Sequence, residues 1–471
     1  MIKKFIQSLF ERKPVGKVRR AAKAARGNDG EQQPVRFSAR QHGIDPTLLS
    51  PNAVRVTRTL QDAGFKAYIV GGAVRDLLLG VRPKDFDVAT DATPEDVVKH
   101  FRRARIIGRR FRLVHVMFGP ETMEVSTFRA NAPEESQTDE HGRVLRDNVF
   151  GSQADDAARR DFTANALYYD PATQTVLDYH HGVPDIKARV LRIIGDPKLR
   201  YREDPVRMLR AMRFAAKLQF SIDETTRRPI AAMAPLIENV PAARLFDEML
   251  KLLTSGHAMA CLHQLRKEGL HHGLLPMLDV VLEQPMGERF VTLVLDRTDA
   301  RIRAGKPIAP SFLFAALLWN QVLEHWQAIR TAGEATIPAL FQAMDEVLER
   351  QTEQLAIPRR LTADMREIWS LQPRFERRTG KSPYRMLEHL RYRAAWDFLV
   401  LRAEAGEIDT TLADWWEAFA NADGPQRTDL LSQASQIRPS EGGGGGGGAK
   451  RKRRRSKGRG APSAPDTLDQ E

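Results

Sequence analysis

The stretch from Tyr68 to Thr90 constrains this chain more than any other. It reads as strand, glycine turn, short helix, loop and second strand. Lys66 to Val70 is apolar with Tyr, Ile and Val, which suits a buried strand. Gly71-Gly72 lets the backbone adopt positive φ and come close to a ligand. A helix starting near Ala73 points its free N–H groups into the same space, a suitable seat for phosphate. Asp85 and Asp87 follow, read here as lying on the second strand with both side chains on one face. Two such carboxylates repel each other unless a divalent cation lies between them. Mg²⁺ takes one or two carboxylates together with substrate phosphates. Together these features point to metal-dependent nucleotidyl or phosphoryl transfer.

With 471 residues the chain has room for two or three domains. No apolar run approaches the eighteen or so residues a membrane-spanning helix needs. The single cysteine, Cys261, excludes an intramolecular disulfide and suits a cytoplasmic location. Residues 1–40 hold 11 Lys/Arg against 3 Asp/Glu, and residues 441–471 hold 8 against 4, so the two ends carry +12 of the formal +13. The basicity therefore belongs to terminal arms, which suit a polyanion such as RNA.

The expected organisation is α+β. A basic arm, 1–37, precedes a catalytic head, 38–170, built as a small mixed sheet with helices on one side. A neck for base recognition, 171–240, and a helical RNA-binding body, 241–435, follow. A glycine-rich linker and basic tail, 436–471, close the chain. Residues 1–10 have helical apolar spacing, read as a nascent helix or a weak anchor on an anionic membrane surface. Within the head, 54–64 and 93–101 read as helices, and 113–118 and 123–128 as a hairpin. Residues 130–150 read as a long polar loop. Residues 154–168 read as one helix carrying Asp161 and Asn165 one turn apart. Asp204 is expected to cap a helix over 204–218 whose flank carries Arg207, Arg210 and Arg213. His180-His181 and His271-His272 lack ligand spacing, and Trp415-Trp416 reads as helix packing.

Three ordered motifs make a family visible. Val70-Gly-Gly-Ala-Val-Arg-Asp76 with Asp85-Phe-Asp87, then Arg159-Arg-Asp-Phe-Thr-Ala-Asn-Ala-Leu167, then Arg202-Glu-Asp-Pro-Val-Arg207, resemble the class II nucleotidyltransferase family. That family holds the bacterial poly(A) polymerases and the CCA-adding tRNA nucleotidyltransferases. The stretch Ile106–Val116 and the basic tail are similar to the poly(A) polymerase branch. The resemblance implies addition of AMP from ATP to RNA 3′ ends with release of pyrophosphate. Asp85 and Asp87 would hold Mg²⁺, with Mn²⁺ an alternative, and Asp161 would join them as a catalytic carboxylate. Glu124 is a second candidate for the third carboxylate. Gly71, Gly72, Arg75, Asp76, Arg160 and Asn165 would bind the nucleotide. Glu203, Asp204 and Arg207 would read its base. Arg109, Arg110, Arg210, Arg213 and the tail residues Lys450, Arg451, Lys452, Arg453, Arg454 and Arg455 are candidate RNA contacts. The family's link to RNA decay implies decay proteins as partners, and the chain reads as a monomer. The rival readings are CCA addition to tRNA and a catalytically degenerate RNA-binding relative. The Ile106–Val116 stretch argues against the first and the intact Asp85, Asp87 and Asp161 against the second.

Overall fold

The computed structural model describes residues 33–108, 112–130, 149–270 and 285–436. An eight-stranded sheet organises the head. Its strands are β1 (Val35–Phe37), β2 (Ala67–Val70), β3 (Asp87–Thr90), β4 (Ala104–Ile107), β5 (Leu113–Phe118), β6 (Glu121–Thr127), β7 (Leu167–Asp170) and β8 (Thr175–Asp178). Their spatial order is β1-β8-β7-β2-β3-β6-β5-β4. Only the central β3–β6 pair is parallel, with Asp87 opposite Glu124, and the other neighbours are antiparallel.

Strand alternation divides this sheet into two chemically different faces. Ile69, Val88, Val114, Val116, Val125 and Tyr169 join the main core, under the helices α1 (Pro51–Asp62), α2 (Gly72–Leu78) and α3 (Pro94–His100). The opposite face carries Val70, Ala89, Phe128, Tyr168 and Leu177, which pack with Ala157 as a separate cluster. Asp87 pairs with Val70 and Glu124 with Asp87, so both carboxylates project on this second face.

The hairpin over β5 and β6 and the helices near 54–64 and 93–101 form where the spacing places them. The sheet also recruits β1 and β8, outside the expected 38–170 span. Three features differ from expectation. Asp85 sits in the bend before β3, not on the strand. Residues 154–168 do not form one helix. α4 (Gln153–Ala158) stops early, Thr163–Asn165 forms a 3₁₀ turn, and the chain enters β7. The cause is long-range pairing. Thr163 N–H donates to the Arg192 carbonyl and Ile194 N–H to the Asp161 carbonyl, so this backbone is committed to a distant segment. Nor does Asp204 cap the start of a helix. It lies extended between α5 (Pro197–Glu203) and α6 (Val206–Leu218), and Pro205 precedes α6 without a side-chain cap.

The loop read over 130–150 lies mainly outside the described residues. Its ends meet at an Arg129–Phe150 bridge. Beyond α6 a two-residue strand, Ser221–Ile222, pairs in parallel with Val190–Leu191. The described remainder is helical: α7 (Ala242–Leu253), α8 (Pro310–Thr331), α9 (Thr336–Gln354), α10 (Arg359–Leu371), α11 (Ser382–Leu387), α12 (Thr410–Asn421) and their neighbours. Leu245, Met249 and Leu252 of α7 are buried as their spacing requires. Trp416 is fully buried and donates its Nε1–H to the Phe375 carbonyl, while Trp415 stacks on Phe419 at 4.9 Å, so this pair packs helices.

Candidate active site

Gly71 closes β2 with φ +70° and ψ −131°, a conformation only glycine adopts without strain. Its N–H donates to the Leu167 carbonyl at 3.1 Å, which ties the turn to β7. A Cβ on Gly71 would stand 3.3 Å from Arg160 Nη1, and one on Gly72 would stand 3.5 Å from Arg75 Nη2. Two guanidiniums thus wall the turn. Gly71→Ala is expected to destabilise the head by about 1–3 kcal/mol and to weaken binding of whatever phosphate ligand the turn seats. Thermal melting and a phosphate-ligand titration check both.

Arg160 is held by Asp156, Nη2 to Oδ2 at 3.0 Å, and lies over the Tyr168 ring at 5.3 Å. Tyr168 in turn donates to the same Asp156 oxygen at 2.7 Å. Asp156 and Tyr168 escaped the sequence reading, although Asp156 precedes Arg160 by the four residues at which ion pairs form.

Asp87 opens to solvent at the edge of the second face. Burial of its surroundings, then the Glu124 carboxylate and Asp85, push its pKa up to about 6 against the pull of Arg160. Like charge from Glu124 and Asp85 crowds Asp87, an arrangement a cation relieves, so these residues fit a divalent metal. Among the described residues no three acidic, His or Cys side chains already converge as a metal cage. A cation here would rely on substrate oxygens as well. Glu124 also meets His115 at 3.4 Å.

Asp161 is placed differently. Its Oδ1 accepts from the Phe162 amide at 2.8 Å and Asn165 Nδ2 at 3.1 Å, and its Oδ2 accepts from Arg210 Nε at 2.8 Å and Nη2 at 2.6 Å. Burial alone would push this acid up, but the Arg210 guanidinium and these hydrogen bonds hold it at about 2. The expectation of a third catalytic carboxylate at Asp161 is revised on this geometry, because both oxygens are engaged. Asp161 and Asn165 do meet, through a 3₁₀ turn rather than along an α-helix.

An alternating chain of charges runs through that hub. Asp76 Oδ1 accepts from Arg75 at 2.7 and 2.8 Å, and Arg75 Nη1 donates to Asn165 Oδ1 at 2.7 Å. Beyond Asp161, Arg210 approaches Glu248 at 3.8 Å and Arg213 Nε donates to Glu248 at 2.6 Å. The Phe214 ring lies between Arg75, Arg210 and Arg213, with guanidinium carbons 5.2, 5.3 and 4.4 Å from its centroid. Arg210 and Arg213 therefore face internal carboxylates. Their reading as RNA contacts is corrected, because the buried Glu248 and Asp161 need them. Glu248 was legible as a lone charge on the apolar stripe of α7. Arg109, Arg110 and Lys450 to Arg455 lie outside the described residues.

At the neck, Glu203 Oε2 is shared by Arg200 Nη1 at 2.7 Å and Arg207 Nη1 at 2.9 Å. Arg200 also donates to the Arg159 and Arg160 carbonyls at 2.6 and 2.7 Å. Burial and then Arg207 pull its pKa down to about 10. Asp204 Oδ2 accepts from Arg244 at 2.9 Å, while its buried Oδ1 has no partner among the described residues. That orphaned acceptor is ready for an amino group.

Comparison with known proteins places similar chains in one family. The family described as "Poly A polymerase head domain" matches residues 67–192. "Probable RNA and SrmB- binding site of polymerase A" matches 219–282, and "Polymerase A arginine-rich C-terminus" matches 332–459. The chain is 48% identical to poly(A) polymerase I of Salmonella typhi over 406 residues, 83% of this chain and 87% of that one. It is 46% identical to poly(A) polymerase I of Haemophilus influenzae over 414 residues, 86% and 92% respectively. A CCA-adding enzyme from Lactobacillus helveticus is 38% identical over 206 residues, 44% of this chain and 50% of that one. Among solved structures, the Bacillus stearothermophilus CCA-adding enzyme in complex with CTP superposes with TM-score 0.53 at 27% identity, covering 83% of this chain and 84% of that one. Near-full-length similarity to poly(A) polymerase I, against half-length similarity to the CCA-adding relative, places the chain in the bacterial poly(A) polymerase I family.

Proposed function

We propose that the head adds AMP from ATP to RNA 3′ ends without a template, with Asp85 and Asp87 as metal ligands and Glu124 as the third carboxylate. The crowding of Asp87 by Glu124 and Asp85, next to the Gly71-Gly72 turn, carries this reading. In the reaction the RNA 3′-oxygen forms a bond to the α-phosphorus of ATP. The α–β phosphoanhydride bond breaks, pyrophosphate leaves, and the 3′-hydroxyl gives up its proton. A bound divalent cation, Mg²⁺ ahead of Mn²⁺, supplies charge neutralisation on the triphosphate and a more acidic 3′-hydroxyl. The Gly71-Gly72 turn and Arg160 seat the triphosphate, and Arg75, Asp76 and Asn165 brace them. Asp161 acts as a positioning residue that fixes Asn165 against α6.

Selectivity follows from a fixed protein surface. Asp204 Oδ1 accepts from the adenine amino group, Arg207 lies beside it, and Glu203 orients Arg207. With an RNA primer and each nucleoside triphosphate singly, ATP alone is expected to give long extension. Use of CTP, with arrest after three additions when CTP and ATP are supplied together, would establish the rival CCA-adding chemistry. Asp204→Asn is expected to reduce the preference for ATP over the other nucleotides about tenfold, the effect of one buried hydrogen bond. Single-nucleotide kcat/KM values read that ratio.

The similarity over 219–282 supports RNA and protein contacts on the last helices of the neck and the first of the body. In keeping with it, the chain acts as a cytoplasmic monomer in contact with RNA-decay proteins, and the basic tail retains RNA. Among the described residues no helix is long and apolar enough to cross a membrane. The surface-anchor reading of residues 1–10 falls outside the described residues.

A further inference from the structure

Several arginines of the C-terminal helices face carboxylates: Arg297 with Glu404, Arg366 with Asp345, Arg391 with Asp364 and Glu367, and Arg402 with Glu407. One groove gathers cations without such partners. A cavity of about 550 Å³ between α9, α10 and α11 is lined by Phe341, Ser370, Arg374, Arg377, Lys381 and Arg385 among others, and no carboxylate lines it. The four cations are exposed, and none has an ion pair or side-chain hydrogen bond among the described residues. Nearby acids do not neutralise them. Asp364 and Glu367 are engaged by Arg391, and Glu376 and Glu388 are exposed and do not line the groove. Phe341 is 43% exposed, an unusual position for a large ring on a helix whose other face is core.

We infer that this groove holds a single-stranded stretch of the RNA upstream of the 3′ end, its phosphates on the four cations and a base against Phe341. The inference rests on the polymerase reading. Unpaired cations around an exposed ring provide the two components that bind single strands without sequence preference: charge along the backbone and a stacking surface. A purely anionic ligand would use the cations alone and leave Phe341 unexplained. The groove lies within the arginine-rich match, whose description names no ligand, and outside the 219–282 match. It shares no residue with the head, so a primer seated by its 3′ end reaches the groove only through upstream nucleotides.

The test uses the full chain with Arg374, Arg377, Lys381 and Arg385 all changed to Gln, and separately Phe341→Ala. Fluorescence anisotropy measures binding of a long and a short fluorescein-labelled oligoadenylate across a salt series. The fourfold variant is expected to bind the long oligomer at least about tenfold more weakly near physiological salt, with a log–log salt slope shallower by about 3, and to bind the short one unchanged. Phe341→Ala is expected to weaken the long oligomer about tenfold without changing the slope, as loss of one stacked base does. It should leave binding of inorganic polyphosphate unchanged, which separates RNA from a bare polyanion. An Arg377→Gln, Arg385→Gln double variant should give about half the slope change, and superimposable thermal melts exclude misfolding. An unchanged slope with the long oligomer overturns the inference. Equal weakening of short and long oligomers also overturns it, since that locates the loss at the 3′ end. Failure of the unaltered protein to extend any primer with ATP would sink the polymerase reading instead, and the binding comparison would still stand.

Discussion

Asp87→Ala is expected to lower single-turnover AMP addition at least about a thousandfold, close to 4 kcal/mol of transition-state stabilisation. RNA affinity should stay within about twofold, since nothing in the described residues gives Asp87 a role in holding the primer. Asp85→Ala should behave alike. Quench-flow extension and anisotropy binding on the same preparations provide the comparison. Equal loss of turnover and binding would mean that the carboxylates serve the fold. The geometry argues otherwise, because Asp85 and Asp87 are exposed and Asp87 binds its proton more tightly than an ordinary aspartate. Groups arranged to stabilise a fold show the opposite shift, as Asp161 does.

Asp161→Ala is expected to destabilise the head and neck by about 3–5 kcal/mol, by leaving the Arg210 guanidinium without its closest carboxylate. Asp161 in the fold titrates at about 2 against 3.8 for the free side chain. Its carboxylate thus stabilises the fold fully above the unfolded value. That contribution disappears as pH falls from about 4 towards 2. The stability gap between wild type and Asp161→Ala should therefore be widest near neutrality and should narrow through that acidic range. Urea unfolding at a series of pH values measures it. A gap independent of pH would show that shape, rather than charge, is what Asp161 contributes. Asp161→Asn separates positioning from chemistry: it should lower kcat less than Asp87→Ala does.

Where local pattern decides structure, the sequence was legible. Alternation in 113–118 and 123–128 makes a hairpin because its turn is short and its partner adjacent. Gly71-Gly72 and the Asp85/Asp87 pair could be read as a candidate site because the chemistry proposed for them needs those residue types close together in the chain. The failures share one cause, pairing across a long stretch of sequence. Residues 161–163 have acceptable helical spacing, yet their backbone bonds to 192–194 override it. β1, only three residues long, exists because β8 offers it an edge. Asp204 has the composition of a cap, but Arg244 from a later helix draws it away. Arg210 and Arg213 read as RNA contacts because their partners Asp161 and Glu248 lie 49 and 35 residues away.

Phe214 ties the head to α6. Its ring is the shared surface for one arginine of the head and two of α6, and the carboxylates of both segments close around them. Prising the head from α6 would break the Asp161–Arg210 pair and lift Arg75 off the ring. The Gly71-Gly72 turn beside Arg75 and the arginine flank of α6 are thereby held in one fixed relation.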